Sequence, residues 1–452
     1  MWAASPLVIG TSQEILPDVP AAALGLLSAW GFYRWVVEPQ WESAILAGLA
    51  LGLAELSKFT LILLVPVYVG VWLIAWCRRG RGGKRLLSEA AQFTALGLIA
   101  LVVLGIGYNF QGMFRPLGDY RFYSDKLRGE PGTVQEDNRF RGTLLGAVPM
   151  PFPADYVQGI DRQAYDLGHP WHGYLRGEEK EGGWYHYYLY GLVVKEPLAF
   201  LGLILWALVF GSWRRMPPEF CCLVIGFPVL VMLCVSLQTN LNHHLRYILP
   251  ALPFLFLWSG QLVSPEMRRP PVRWLAWALL VMGMVSSAIV YPYSYAYFNW
   301  LAGGPENGYR HLIGSNFCWG QDGLLVADLL RDDPEIRVSP GYVSNQYLVK
   351  LLEEEGIEVQ SFVPMTPEQM RAQKLSDLLE AFPPGDYVIS ATSLIDPEGR
   401  YGLFEKLQPI RIVGYTVHVY RLTERELLDW FQRYGKHREA SVQHRHLSHD
   451  AE

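Results

Sequence analysis

Four basic or imidazole side chains stand where long apolar runs begin or break: Lys58 in "ELSK", Lys195 in "KEP", and His243 with Arg246 in "NHHLRYILP". For each alone the competing reading is a long cation reaching out of lipid toward headgroups. Taken together they point to a site for an anionic headgroup, since cations at one depth attract phosphate and a guanidinium adds bidentate geometry. Lys58 and Lys195 each have an acidic neighbour, Glu55 and Glu196, at an interrupted run. Such interruptions free backbone groups that need a protein-lined or wet cavity. A pocket of this kind at the lipid boundary suits a polyprenyl-phosphate carrier. A transferase using that carrier also needs a carboxylate to take the acceptor proton. Asp18 in "QEILPDVP" is the membrane-proximal candidate, with Glu14 a turn away. Its competing reading is a helix cap or first-turn acid. Asp119 and Asp125 in "GDYRFYSDK" are further candidates, less well placed.

The elements that must position these residues are membrane helices. The chain has 452 residues, 51% hydrophobic and only 18% charged, with 16 Trp, 25 Tyr and 20 Phe. That balance indicates several spans plus a wet portion, and the net charge of -5 gives no sign of a nucleic-acid partner. Spans of roughly 20 apolar residues are expected at 19–37, 91–109, 219–237, 246–263 and 274–292. The run 44–77 is too long for one span and divides at "ELSK" into helices at 44–56 and 60–77. The run 185–211 is interrupted at "KEP", with Pro197 opening its membrane part. Cys77, Cys221, Cys222 and Cys234 fall in or beside apolar runs and read as small apolar side chains, not a disulfide framework. No secretory signal opens the chain, so either the first span acts as the insertion signal or the natural beginning is missing.

Lys and Arg in short loops set the direction. The connectors "CRRGRGGKR" (77–85), "WRRM" (213–216) and "MRRPPVR" (267–273) are expected on the cytoplasmic side. Alternate threading then places residues 1–18, the 56–59 break, the loop 110–186, "TNLNHHLR" and everything after 293 outside. The expected fold is a polytopic α-helical membrane protein with a C-terminal extracytoplasmic α/β domain. It divides into an outward segment 1–18, a helical domain 19–292 with the long loop 110–186, the α/β domain 293–435 and a polar tail 436–452. Within the third part, "GDYVISATSLI" and "RIVGYTVHVYRL" alternate as strands and "ERELLDWFQRYG" reads as helix. The tail histidines His444, His446 and His449 lack a carboxylate or cysteine partner at ligand spacing and read as a solvated end.

Several stretches carry a resemblance: "GLALGLAELSKFTLILLVP", "YLRGEEKEGGWYHYYLYGLVVKEPL", "NHHLRYILPALPF", "YFNWLAGGPENGYRHLIGSNFCWGQD" and "GDYVISATSLI". In these the chain resembles the C-type membrane glycosyltransferases, in particular the bacterial glycosyltransferase family 39-like group related to protein O-mannosyltransferases and aminoarabinose transferases. The resemblance implies an inverting enzyme in the bacterial inner membrane. It would move a sugar from a polyprenyl-phosphate donor to a lipid, glycan or protein acceptor on the non-cytoplasmic face. A divalent metal serves some relatives and not others. The resemblance also implies a principal catalytic acid in a first outward loop, and by the same resemblance this chain is expected to begin after that loop. A truncated or inactive form is therefore one expectation. Asp18 matches a later acidic position, preceded here by Leu16 and Pro17. A second departure is Cys318 in "SNFCWGQD", where relatives carry Asp.

Two other classes compete. A transporter would show internal repeats and midplane charges; no repeat is found, and only Glu55 and Lys58 approach that pattern. A non-catalytic anchor whose outer domain binds glycan or protein is the other.

Overall fold

The computed structural model describes the backbone of residues 1–79, 83–211, 216–264 and 269–435, and the side chains of these except 83–85, 434 and 435. Much of the three basic connectors 77–85, 213–216 and 267–273 lies outside the described residues, as do His444, His446 and His449. The chain forms two compact units, Met1–Tyr174 with Lys180–Ser294, and Leu175–Glu179 with Tyr295–Glu452.

The first unit is helical. Its order is α1 (Pro6–Ser12), α2 (Asp18–Val37), α3 (Trp41–Ser57), α4 (Leu64–Arg79) and α5 (Gly83–Gly107), then α6 (Ala154–Gly168) in the long loop. A short hairpin of β1 (His172–Leu175) and β2 (Glu178–Glu181) follows in the chain, its Leu175–Glu179 counted with the second unit. The unit closes with α7 (Tyr187–Lys195), α8 (Leu198–Phe210), α9 (Pro218–Leu237), α10 (Leu252–Ser259) and α11 (Pro270–Val290). Among the described residues four helices are long and apolar enough to cross a membrane: Phe59–Arg79, Leu86–Gly107, Pro218–Leu237 and Pro270–Val290. The pair α7 and α8 passes as a fifth, broken by 116°. The break falls at Glu196 and Pro197; proline cannot donate the amide that would continue α7, and it can open α8.

The expected span 246–263 departs from a plain helix. Residues Leu245–Ala251 are 3-10, and α10 runs for eight residues only. Pro250 and Pro253 remove two amides from this stretch, which accounts for the tighter, shorter turns.

Close packing of the bundle depends on small residues. A Cβ on Gly48 would stand 2.7 Å from the Leu96 carbonyl oxygen, and one on Gly52 would stand 2.6 Å from Val103 Cβ. Four residues apart, these two glycines let α3 lie against α5. The core includes Phe32 stacked on Tyr68 at 3.9 Å. Polar groups inside it are matched: Tyr68 Oη lies 2.8 Å from Ser28 Oγ, and Trp35 Nε1 donates to Gln92 Oε1 at 2.8 Å.

One end of this bundle is basic. Arg78 Nη1 at the end of α4 bonds Glu219 Oε2 at the start of α9, 3.0 Å away. Arg79 donates to the Val36 carbonyl at the end of α2 and pairs with Glu89 of α5. The start of α2, the end of α3 and the Leu245–Ala251 turn meet at the other end.

The second unit is an α/β sandwich. Its helices are α12 (Gly323–Asp332), α13 (Pro340–Val343), α14 (Gln346–Glu354), α15 (Pro367–Ala372), α16 (Leu375–Ala381), α17 (Gly402–Glu405) and α18 (Glu424–Gly435). Its strands are β3 (Arg337–Val338), β4 (Gly385–Ser390), β5 (Arg411–Val413) and β6 (Val417–Leu422), in the order β3-β4-β6-β5. β3 runs parallel to β4, and the other pairs are antiparallel. Alternation divides β4 and β6 between two cores. Val388, Val417 and Val419 pack with α12 and α14, whereas Tyr387, Ile389, Tyr420 and Leu422 pack with α15 to α18.

Candidate donor site

Three helix ends bring charge together. Asp18 opens α2 and is buried, with no side-chain cap in front of it because the preceding residue is Pro17. Lys58 follows α3 in extended backbone, φ -162° and ψ 129°, so its side chain leaves the face that α3 would have given it. The two form an ion pair. The Lys58 ammonium also sits 5.3 Å from the centre of the Tyr247 ring, and the Arg246 guanidinium lies 5.9 Å from the same ring. Tyr247 is thus an aromatic plate shared by two cations.

The imidazoles border this cluster. His244 meets the Tyr247 ring edge-on at 5.4 Å, and His243 meets the Trp171 ring edge-on at 6.0 Å. Burial first, then the positive charges of Arg246, His243 and Lys58, push His244 down to about 4. Burial and His172 hold His243 below its ordinary value. At neutral pH both rings offer hydrogen bonds and no charge. The positive charges of Arg246 and Lys58 add to burial in opposing protonation of His244.

Asn242 holds the "NHHLR" stretch in place. Its Oδ1 accepts from the Trp184 amide, and a Cβ on Gly183 would stand 2.1 Å from that oxygen. Gly183 is also in the left-handed region, φ +54°, so glycine answers both demands. Tyr188 Oη donates to the Leu241 carbonyl at 2.7 Å, and Asn240 Nδ2 donates to Leu167 and Gly168 carbonyls at 3.2 Å. The "GGWYHYY" aromatics therefore support the cation-bearing turn as well as facing outward.

The remaining sequence candidates have other places. Glu55 does not pair with Lys58: it accepts from Tyr156 Oη of α6 at 2.5 Å. The reason is the extended backbone at Lys58, which separates two residues that a continuous helix would hold on one face. Lys195 neighbours Glu196, and Glu196 accepts from Ser5 Oγ at 2.5 Å. Lys195 and Glu196 belong to a buried polar group with the Met1 amino group. Asp119 and Asp125 are exposed, and Glu14 is half-buried. Tyr247, next to Arg246, and His244, two residues before it, are members of the cluster that the sequence did not place in the phosphate-binding set. Among the described residues no group of three or more His, Cys, Asp or Glu is arranged to hold a metal.

Comparison with known families bears on the same end of the chain. Residues 1–108 match the family described as dolichyl-phosphate-mannose-protein mannosyltransferase. This agrees with a membrane glycosyltransferase of the C type. The match includes Asp18 and Lys58 and ends before Arg246 and Tyr247. No curated protein and no solved structure matches the chain. Together with the apolar helices, the match points to an integral membrane protein.

Proposed function

We propose that the chain moves a sugar from a polyprenyl-phosphate donor to an acceptor on the non-cytoplasmic side of the membrane. The observation that carries this reading is the convergence of Asp18, Lys58 and Arg246 around Tyr247 at one end of an apolar bundle. Lys58 and Arg246 bind the donor phosphate, the arginine through its bidentate fork. The imidazoles of His243 and His244 supply neutral hydrogen bonds at the edge. In the transfer, the acceptor oxygen bonds to the sugar's anomeric carbon as the carbon–phosphate-oxygen bond breaks. The leaving phosphate keeps the electron pair, and the two cations stabilise that charge. Once phosphate displaces it from Lys58, Asp18 becomes a carboxylate able to take the acceptor proton. Lys195 would join the phosphate site only if the donor reached its buried group. The side assignment is supported by the Arg78 and Arg79 end lying opposite this cluster.

Binding of a radiolabelled polyprenyl-phosphate sugar to the full chain in nanodiscs tests the reading. Arg246→Ala and Lys58→Ala are each expected to weaken binding by roughly tenfold or more, the loss of one charge-assisted contact. Binding that both variants leave unchanged removes the phosphate assignment.

A further inference from the structure

Residues 108–153 join α5 to α6 within the first unit, and two 3-10 turns, Leu117–Asp119 and Leu144–Ala147, punctuate them. Internal bonding fixes this loop. Segments 114–117 and 148–150 run antiparallel: the Phe114 amide donates to the Met150 carbonyl at 2.7 Å, the Leu117 amide to the Val148 carbonyl at 2.9 Å, and the Met150 amide to the Arg115 carbonyl at 3.0 Å. The two turns meet through glycines. A Cβ on Gly118 would stand 3.2 Å from Gly146 Cα, and one on Gly146 would stand 2.3 Å from the Phe140 carbonyl oxygen. Asn138 is buried and ties both sides: its Nδ2 donates to the Leu117 and Tyr120 carbonyls at 2.8 and 2.9 Å, and its Oδ1 accepts from the Phe140 amide at 2.8 Å.

This braced loop turns large apolar side chains outward. Leu144 is 95% exposed, Phe114 63%, Leu145 59%, Phe110 51% and Val148 45%. Phe114 also has left-handed backbone, φ +62°, a conformation that crowds a Cβ and that Gly112 nearby adopts at φ +64°. A ring held on such backbone and outside the core gains little from the protein's own interior, so its gain lies in what surrounds it.

The neighbouring helix shows what that surrounding is. Leu98, Val102 and Ile106 of α5 are exposed at intervals of four, which puts them on one face of a helix long and apolar enough to cross a membrane. That face is the helix's lipid side. Phe110 and Phe114 carry the same interval past the helix end. The Phe110 amide bonds the Gly105 carbonyl at 2.7 Å, and its ring lies back over Gly105. The exposed apolar surface of the span thus runs on into the loop. Arg115, beside Phe114, is exposed as well; its stem can lie with the rings while its head meets phosphate.

We propose that this loop is a lipid-bound platform, with Phe114, Leu144 and Leu145 seated in the headgroup–acyl boundary of the leaflet where α5 ends. The inference needs α5 to span the bilayer and does not depend on sugar transfer. Spin labelling of the full chain in nanodiscs of phosphatidylcholine and phosphatidylglycerol tests it. In a background otherwise without cysteine, a nitroxide is placed in turn through Phe114→Cys, Leu144→Cys and Leu145→Cys. Leu98→Cys is the lipid reference, and Arg425→Cys, exposed at the start of α18, is the water reference. Each loop nitroxide is expected to collide more with oxygen than with a water-soluble nickel chelate, at a depth of about 5–10 Å and shallower than at position 98. Nickel collisions as frequent as at position 425, at any of the three sites, overturn the proposal. Protection from both reagents at any of them does so too, because it would mean a protein cover. The three side chains are exposed, so replacing them leaves the core intact, and Lys58→Ala is expected to leave the depths unchanged.

Discussion

Lys58 and Cys318 show how much depends on single side chains. Lys58 turns away from Glu55 because its backbone is extended, and Tyr156 then supplies the hydrogen that Glu55 needs. Tyr156→Phe removes that donor from a buried carboxylate. It is expected to lower stability by about 1–3 kcal/mol, read as a fall in melting temperature with the bundle still helical by circular dichroism. Cys318 Sγ lies 3.1 Å from Asp322 Oδ2, and Tyr342 Oη lies 3.0 Å from the same oxygen. Burial, then Asp322, drives the thiol well above its ordinary value, so it remains a protonated donor to a buried carboxylate. Cys318→Asp would set a second carboxylate there, and the pair would have to keep a proton. A folded-state value raised above the unfolded one gives stability that is present at low pH and lost as pH rises. Cys318→Asp is therefore expected to melt earlier at pH 7 than at pH 5 relative to the parent. An equal deficit at both values would mean that no proton is shared. Residue-level pairing was the least legible part of the sequence. Depth along a helix can be counted from an apolar run, which is how Lys58, Arg246 and Asp18 were brought to one end. Direction around the axis cannot, and for that reason the sequence ranks Lys195 with Lys58, whereas the structure sets it beside Glu196.

Elements were easier to read. Hydrophobic length alone marks α4, α5, α9 and α11, and the "KEP" interruption marks the bend between α7 and α8. The segment 246–263 resisted because its composition is that of a span, whereas its prolines act on hydrogen bonding that hydropathy does not register. The alternation of "VHVYRL" predicts a strand, and β6 is one; which partner strands flank it was not visible. Its histidine gives β6 a pH signature. His418 is held down to about 4 against an ordinary 6.5, so the unfolded chain binds the extra proton first as pH falls. Its contribution is fully present above pH 6.5 and is lost progressively toward pH 4, to a limit of about 3 kcal/mol. Melting curves across that window should slope downward with acid, and His418→Leu should flatten the slope. A slope unchanged in that variant would assign the effect elsewhere, with His244, also near 4, the next group to replace.

At the scale of the membrane unit, charge separates the two ends of the bundle. Arg78, Arg79 and Glu219 occupy one, and the Asp18–Lys58 pair with Arg246 occupies the other. Sidedness then becomes a labelling experiment. Ser12 and Glu38 are exposed and lie before and after α2. In a background otherwise without cysteine, Ser12→Cys is expected to react with an impermeant maleimide in right-side-out vesicles, and Glu38→Cys only in inverted ones. The reverse pattern would turn the proposed donor site toward the cytosol.

On the proposed function, the Asp18–Lys58 contact also governs what the membrane site would accept. The lysine already holds a tethered counter-ion, and a tethered group competes as if present at millimolar concentration or above. Dissolved phosphate or nucleotide must displace that carboxylate by charge alone, with little to gain. A headgroup delivered by an embedded isoprenoid chain arrives pre-concentrated in two dimensions and already oriented, and it can evict Asp18 where a free anion fails. On the proposed reading Asp18 is thus a built-in plug, and it screens cargo by whether it comes on a hydrocarbon leash.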